Sequence, residues 1–442
     1  MPSQPLIVAA ADPAALADHL PRSLSAARSL SAALSWRLPK RLAFHLLASV
    51  TLFLLAGSSA MTPLYAHYQA AWGYSPITTT LIFATYAVSV LAGLLTMGSL
   101  SDHIGRRPVL LAALAAQIVI MVIFATADGV TALFVGRILQ GISTGAAVAA
   151  VGAGLLDLDR ATGTIANGVG PMLGTATGAL LSALLVRYLP APTHLVYLLL
   201  AGIFALQVVG VALIRETVTP RAGALRSLRP RLNLPASARR PILIAAPALI
   251  AAWSIAGFYG SLGPGLIRLM TGAPSILYGG LALFLLAISG AATVFVMRNV
   301  PAATVLARGT IGLALGALVS LIAIRSGNVA ILGLGTVISG IGFGAAFQGA
   351  VRTVLPHAAA HERAGTLAVV FVISYLAMGL PTVAAGTAVV YGGGLLATAQ
   401  VYILVSLALA MIARSGLYLS ARPARTLSYR NDLVAQVCEV RA

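Results

Sequence analysis

The chain has 442 residues, of which 59% are hydrophobic and 9% charged, and its mean hydropathy is +0.96. This composition leaves too little polar surface to cover a soluble globule of that size, so we expect a membrane protein. The formal net charge of +18 does not indicate nucleic acid binding, because the arginines lie in short segments between apolar runs and in the two tails. The single cysteine, Cys438, excludes an intrachain disulfide.

The apolar runs predict twelve transmembrane helices and an all-α membrane protein. A helix of about 20 apolar residues crosses the roughly 30 Å hydrocarbon core, and the runs are continuous rather than alternating as in an outer-membrane barrel. We place the spans at 42–65, 78–100, 109–127, 130–156, 164–189, 193–214, 241–266, 277–297, 305–324, 329–351, 366–390 and 395–413.

The distribution of basic residues predicts the orientation of these spans. An even number of spans places both termini on one side, and most Lys and Arg residues lie on that side, whereas Arg187, Arg268 and Arg325 lie on the other. The Arg-rich side is cytoplasmic by the positive-inside rule. We therefore expect a multi-pass protein of the inner (plasma) membrane, with both termini cytoplasmic and anionic lipids near the Arg-rich loops.

A basic linker divides the chain into two related halves. Residues 215–240 are the long internal connection and contain seven arginines. The stretch "GRILQGISTGAA" at 136–147 aligns without gaps on 335–346, with six of twelve positions identical. Duplicated bundles are typical of transporters with a central cavity between the halves. We predict an N-terminal cytoplasmic tail at 1–41, which is disordered or amphipathic, and a six-helix bundle at 42–214. The cytoplasmic linker at 215–240 leads to a second, pseudo-symmetric six-helix bundle at 241–413 and a cytoplasmic C-terminal tail at 414–442.

The stretch "GSLSDHIGRRPVL" at 98–110 resembles the loop between the second and third helices of the major facilitator superfamily, and it follows two spans, as in that family. The matching positions are Gly98, Leu100, Asp102, Gly105, Arg106, Arg107 and Leu110. The resemblance implies a latch in which Asp102 faces the positive N-terminal end of the eleventh span. Arg106 or Arg107 would then meet Asp157 or Asp159. The alternative is that these charges only orient the loop.

The stretch "GRILQG" at 136–141 resembles the Arg-x-x-x-Gly pattern of the fourth span in that superfamily, which implies a role for Arg137 in substrate binding or proton movement. An arginine at depth costs roughly 3 kcal/mol, so Arg137 is expected to face a cavity or a partner. Gln140 lies on the same helical face. Snorkelling of Arg137 toward Asp128 is the alternative.

Gly170, Pro171, Gly174 and Gly178 in the fifth span predict close helix packing beside a kink. They resemble the Gly-Pro-rich motif of drug exporters in the superfamily. The Pro-Glu-Ser-Pro signature of sugar porters is absent after the sixth span, where "RETV" stands.

Four further residues are candidates for a substrate site. Spans one, four, seven and ten line the central cavity in this superfamily, so the resemblance suggests Tyr65, Trp253, Tyr259 and Gln348. Plain packing or anchoring at the membrane interface is the alternative for each of them.

None of the ten acidic residues lies deep inside a predicted span. A desolvated cation needs a counter-charge, so we expect a neutral or anionic substrate with Arg137 as its counter-ion.

The predicted protein is a monomeric secondary transporter that exports a small organic molecule by alternating access. It has no cofactor, and a proton gradient is the candidate driving force. The alternatives are an uptake symporter and a transporter-like sensor or scaffold that no longer cycles. An enzyme is disfavoured because the sequence has no metal-ligand cluster and no nucleophile–base constellation.

Overall fold

The computed structural model describes residues 38–230, 232–272 and 276–440, with side chains as far as Leu419 in the last helix. Within these ranges there is no strand, and twelve helices are long and apolar enough to cross a membrane. We number them in chain order as α1 Lys40–Ser59, α2 Pro76–Met97, α3 Arg106–Ala125, α4 Val130–Leu158, α5 Arg160–Tyr188, α6 Pro192–Ala212, α7 Ala236–Ser261, α8 Ile276–Val296, α9 Ala302–Ser326, α10 Val329–Val354, α11 Arg363–Tyr391 and α12 Gly394–Val440. The predicted fold class is confirmed.

Most helix boundaries fall within a few residues of the prediction, and three differ. After α1 the chain turns at once into a short helix, Tyr65–Trp72, so the first span is shorter than predicted. The helix α7 begins at Ala236, after an extended Pro235, which shortens the linker. The helix α12 continues to Val440, beyond the predicted span end at 413, because a helix need not stop where its apolar run does. The predicted N-terminal tail lies almost wholly outside the described residues.

The helices form two bundles, α1–α6 and α7–α12, each around its own apolar core. The bundles meet mainly along two helix pairs, α2 with α11 and α5 with α8. Repeated glycines place the helices of each bundle in contact. Gly141 of α4 lies against Ser89 of α2, and its counterpart Gly340 of α10 lies against Ser289 of α8, so close that neither position has room for a Cβ atom. The sequence repeat is therefore a structural repeat.

The glycines of α5 pack against α1. Gly174 lies on the backbone oxygen of Leu52 and Gly178 on that of Ala56, with no space for a side chain at either position. Gly170 faces the Thr51 side chain less tightly, and Pro171 lies inside the helix. The predicted close packing in the fifth span is thus present, and α1 is its partner.

The two bundles make close contacts at one end of the molecule. We call the end with residues 98–105 and 213–235 the linker side and the opposite end the far side. On the far side, Thr62 Oγ1 donates a hydrogen bond to the Gly260 carbonyl oxygen at 3.1 Å. Gly280 lies against Ala183, and Gly386 against the Thr80 side chain, so tightly that a Cβ atom would collide. These contacts join the bundles on the far side.

Candidate functional site

Arg137 is buried inside the N-terminal bundle. Its side chain is 1% exposed, and its Nη1 donates to the Ser58 carbonyl oxygen at 2.9 Å and to Gln140 Oε1 at 2.8 Å. Its Nη2 donates to the Tyr65 hydroxyl at 2.8 Å, while its Nε has no partner. These contacts connect α4 to the end of α1. Of the two expectations for Arg137, a cavity or a partner, this conformation shows partners, which satisfy most of the guanidinium and cover it.

The alternative for Arg137, snorkelling toward Asp128, is not seen in this conformation. The guanidinium turns inward and lies 5.0 Å from the centre of the Tyr86 ring and 5.8 Å from that of Tyr65. Cation–π contacts and neutral oxygens take the place of a carboxylate partner. Tyr86 of α2 was not predicted, since only the folded structure shows which face of α2 meets α4. The result is a buried positive charge without a countercharge in contact.

The C-terminal bundle has a different polar centre at the matching position. Thr336, which aligns with Arg137, donates a hydrogen bond to the Tyr259 hydroxyl at 2.9 Å, and that hydroxyl lies 3.5 Å from Ser320 Oγ. A small cavity lies beside these groups, lined by Tyr259, Ser320 and Ser339 among others. Tyr259 is 3% exposed and belongs to the interior of its bundle. The structure therefore favours the packing interpretation for Tyr259 over the cavity-lining one.

An aromatic cluster occupies the side of the C-terminal bundle that faces the N-terminal bundle. Trp253 lies at its centre, and its ring centroid is 5.0 Å from Tyr375, 5.4 Å from Phe347 and 6.0 Å from Phe343. Phe371 continues the cluster, 6.3 Å from Tyr375. We call these five residues the aromatic cluster. Of its members, Trp253 was predicted as a site residue.

Contacts from the N-terminal bundle place this cluster at the interface. Met172 of α5 packs with Phe343 and Phe347. Gln348, another predicted site residue, donates from Nε2 to the Val294 carbonyl oxygen at 3.1 Å. Sequence reasoning missed most of this cluster because isolated phenylalanines in apolar spans carry no signal of their own.

The predicted latch residues form a network on the linker side. Arg106 donates from Nη1 to Asp102 and to Ser101 Oγ, and from Nε to Asp157 Oδ2 at 3.3 Å. The Asp102 side chain is 55% exposed and pairs within its own loop, so the predicted contact with the start of α11 is absent in this conformation. The bundles are joined on the far side, which leaves Asp102 facing solvent here.

Three other residues of the predicted latch have distinct positions. The Arg107 side chain is exposed, and Gly98 is the C-cap residue of α2, near Ala149 of α4. Asp159 does not meet an arginine of the loop but caps α5, accepting from the Thr162 backbone N–H at 2.9 Å. That hydrogen bond holds the pKa of the Asp159 carboxyl below its ordinary value.

Glu216 of the linker binds the same loop, and sequence reasoning missed it. Its two carboxylate oxygens accept from the backbone N–H groups of Arg106 and Arg107, both at 2.9 Å. These are the first two residues of α3, so the carboxylate lies at the positive end of the helix. Thr217, the next residue, donates to Asp157 Oδ2 at 2.9 Å. The linker is therefore attached to the N-terminal bundle.

Gly105 makes this attachment possible for two reasons. Its φ of +103° is a conformation that other residues rarely adopt. A Cβ atom at this position would also lie 2.5 Å from Glu216 Oε2. The glycine of the loop motif thus leaves space for the linker carboxylate as well as allowing the turn.

Two six-helix bundles with a shared interface and a short loop motif define a class of membrane transporter. The family model described as Major Facilitator Superfamily matches residues 47–382. The chain belongs to this superfamily.

Two curated proteins resemble parts of the chain. The tetracycline resistance protein, class C, of Escherichia coli is 38% identical over 112 residues, 24% of this chain and 28% of that protein. The chloramphenicol resistance protein of Pseudomonas aeruginosa is 32% identical over 160 residues, 35% of this chain and 38% of that protein. The chain therefore matches well under half the length of each relative.

Solved transporter structures share the fold at low identity. A mutant of the nucleoside transporter NupG has a TM-score of 0.68 at 11% identity, with 86% of this chain and 100% of that chain covered. The human organic anion transporter MFSD10 has a TM-score of 0.58 at 19% identity, with 85% and 100% covered. A POT family transporter in complex with 5-aminolevulinic acid has a TM-score of 0.66 at 14% identity, with 85% and 95% covered.

Proposed function

We propose that the protein exports a neutral or anionic small organic molecule from the cytoplasm by alternating access, as a monomer of the inner membrane. The observation that carries the cargo assignment is the distribution of buried charge. Arg137 is the one charged residue among the described side chains that are almost fully buried, and every described carboxylate lies at or beyond the end of a span. A desolvated cation would find no countercharge in the membrane-spanning region.

The direction of transport rests on orientation and on the two relatives. The Arg-rich linker side is cytoplasmic by the positive-inside rule, so the far-side contacts make this conformation closed to the outside. The two relatives described above are named as resistance proteins, which supports export. We propose that the linker-side arginines also contact anionic lipids. The cytoplasmic latch, which holds the linker side closed during part of the transport cycle, consists of Asp102, Gly105, Arg106, Arg107 and Asp157.

Energy coupling follows from the same charge distribution. No carboxylate lies within the described membrane interior. The proton would therefore be carried by a carboxylate at the end of a span, such as Asp157, which accepts a hydrogen bond from Arg106. No cofactor enters the proposal. Arg137, Gln140 and Tyr65 form the N-terminal wall behind the interface, while Trp253 and Gln348 lie on the C-terminal wall.

Transport in inside-out vesicles tests the proposal. When the vesicle lumen is made more acidic than the medium, vesicles carrying the protein should accumulate chloramphenicol, an uncharged probe. They should not accumulate tetraphenylphosphonium, a permanent cation. Accumulation of chloramphenicol only in right-side-out vesicles would instead support an uptake symporter. Comparison of retained and secreted metabolites in a deletion strain identifies natural cargo.

A second experiment separates transport from a sensor or scaffold role. The substitutions Asp102→Asn and Arg107→Ala should each slow transport by about fivefold while membrane abundance is unchanged, because a latch matters only to a protein that opens and closes. Unchanged cellular function in both variants would support the non-cycling alternative.

A further inference from the structure

We infer that the aromatic cluster, Trp253, Phe343, Phe347, Phe371 and Tyr375, binds an aromatic ring that carries a hydrogen-bond acceptor and is uncharged or anionic. This inference rests on the proposed function and adds to it the chemical class of the cargo. It assigns the binding surface to the C-terminal bundle rather than to Arg137.

The first argument is the exposure of the cluster. All five rings are only partly buried, although they lie in the interior part of α7, α10 and α11, and two of them, Phe343 and Phe347, pack against α5 of the N-terminal bundle. Aromatic side chains that serve only as core would be covered, as are Phe124, Phe204 and Phe258. The partly exposed ring surface therefore lines the gap between the bundles.

The second argument is ring geometry. Trp253 meets Phe343 and Phe347 edge-on, with interplanar angles of 67° and 71°. Offset and edge-to-face contacts are the preferred arrangements for aromatic pairs, so a planar ligand finds complementary ring edges and faces in the same cluster. An aliphatic ligand would bury apolar surface in the cluster but would make no ring–ring contacts.

The third argument is a set of unpartnered polar atoms. Trp253 Nε1, Gln348 Oε1 and Ser374 Oγ are buried and have no hydrogen-bond partner. An unsatisfied donor destabilises the empty site, and an indole N–H can only donate. An acceptor that enters between the rings satisfies Trp253 Nε1 after a small rotation of the indole. A carbonyl or carboxylate on the ligand fits this requirement.

The fourth argument is the local field. In the N-terminal bundle, the Arg137 guanidinium carbon lies 5.0 Å from the centre of the Tyr86 ring. Arg137 is the one charged residue among the almost fully buried side chains described, and every described carboxylate lies at or beyond the end of a span. A positive field in a low-dielectric interior disfavours a cationic ligand and tolerates a neutral or anionic one.

Calorimetric titration of the purified protein in lipid nanodiscs tests the inference, with empty nanodiscs subtracted. The probes are naphthalene-2-carboxamide, naphthalene-2-carboxylate, 2-naphthylmethylammonium and cyclohexanecarboxamide. We expect saturable binding of the carboxamide and the carboxylate, with at least tenfold weaker binding of the ammonium and the cyclohexane probe. Equal affinity for either of these two controls, or no saturable binding of the carboxamide, would overturn the inference.

Matched variants locate the site. The substitution Trp253→Phe keeps a ring but removes the N–H, and should weaken carboxamide binding about fivefold, the effect of one lost hydrogen bond. The same substitution at Trp72, which stacks on Tyr68 outside the cluster, should leave binding unchanged. Equal effects at both positions would contradict the assignment. Intact binding together with absent vesicle transport would refute the proposed function but not this site.

Discussion

At position 137 of α4, the N-terminal bundle holds an arginine that donates to three groups and contacts two tyrosine rings. At the matching position of α10, Thr336 contributes a hydroxyl that bonds Tyr259. Gly141 and Gly340, four residues further along in the alignment, make equivalent close contacts with neighbouring helices. The packing positions of the repeat were retained, whereas the polar positions between them differ.

This difference separates two tasks that a transporter must combine. The N-terminal bundle contains a buried charge that is held by hydrogen bonds and does not reach the surface. The C-terminal bundle has a neutral centre and instead presents aromatic rings to the interface. Small residues at the repeated contacts keep both bundles closely packed, so that chemistry can change on one helix face while the packing stays the same.

The substitution Arg137→Ala makes the strongest test of this division. We expect transport to fall at least tenfold, because the Ser58 carbonyl and the Tyr65 hydroxyl lose their donors and Tyr86 loses its cation. Membrane abundance should stay near that of the unmodified protein, since the spans remain apolar. Arg137→Lys keeps the charge and should retain part of the activity. Flux at the unmodified rate in the alanine variant would refute the role of this charge.

A substitution at the far-side contact tests whether the two bundles move as units. In Gly280→Leu the new side chain meets Ala183 and Ala179 of α5, so the far side should open more often. A cysteine in place of Ser261, in a Cys438→Ser background, should then react with a maleimide about fivefold faster. The control is Gly202→Leu on α6, where nothing lies within 4 Å. Identical labelling rates in the two variants would show that this contact does not hold the bundles together.

The linker attachment also distinguishes the two bundles, because Glu216 of the linker binds the N-terminal bundle. Glu216→Gln weakens the interaction with the Arg106 and Arg107 N–H groups at the start of α3. Since a charge at a helix N-terminus contributes about 1 kcal/mol, we expect roughly fivefold faster trypsin cleavage at the linker arginines. Transport should slow about threefold. Glu362→Gln, near the start of α11, is the matched control, and equally fast linker cleavage in that variant would contradict the attachment.

The smallest effect is expected at the C-terminal counterpart of Arg137. Thr336→Val removes one hydroxyl and its hydrogen bond to Tyr259, worth about 1 kcal/mol. Thermal stability should drop by a few degrees, while transport changes less than twofold. A tenfold loss of transport in this variant would mean that the two polar centres contribute equally, contrary to the comparison.

The sequence predicted the fold more completely than the site. Apolar runs gave the twelve spans, since burying a backbone in lipid requires helices of a definite length. The resemblance of the loop motif led us to expect Arg106 or Arg107 to meet Asp157 or Asp159, and the structure contains the Arg106–Asp157 pair. Tyr86, Phe343, Phe347 and Glu216 were not predicted as site residues. Their importance depends on which helix faces meet, and in uniformly apolar spans the hydrophobic period carries little information about that.

By itself, the sequence predicted twelve membrane-spanning helices in two related halves, with no carboxylate deep inside a predicted span, because hydrophobic length and charge are properties of the chain alone. The tertiary structure decided that Arg137 is enclosed rather than exposed and that the aromatic rings face the interface. It also decided that Glu216 attaches the linker to α3. Each of these depends on neighbours brought together from different spans, where short-range hydrogen bonds and packing select one partner among many.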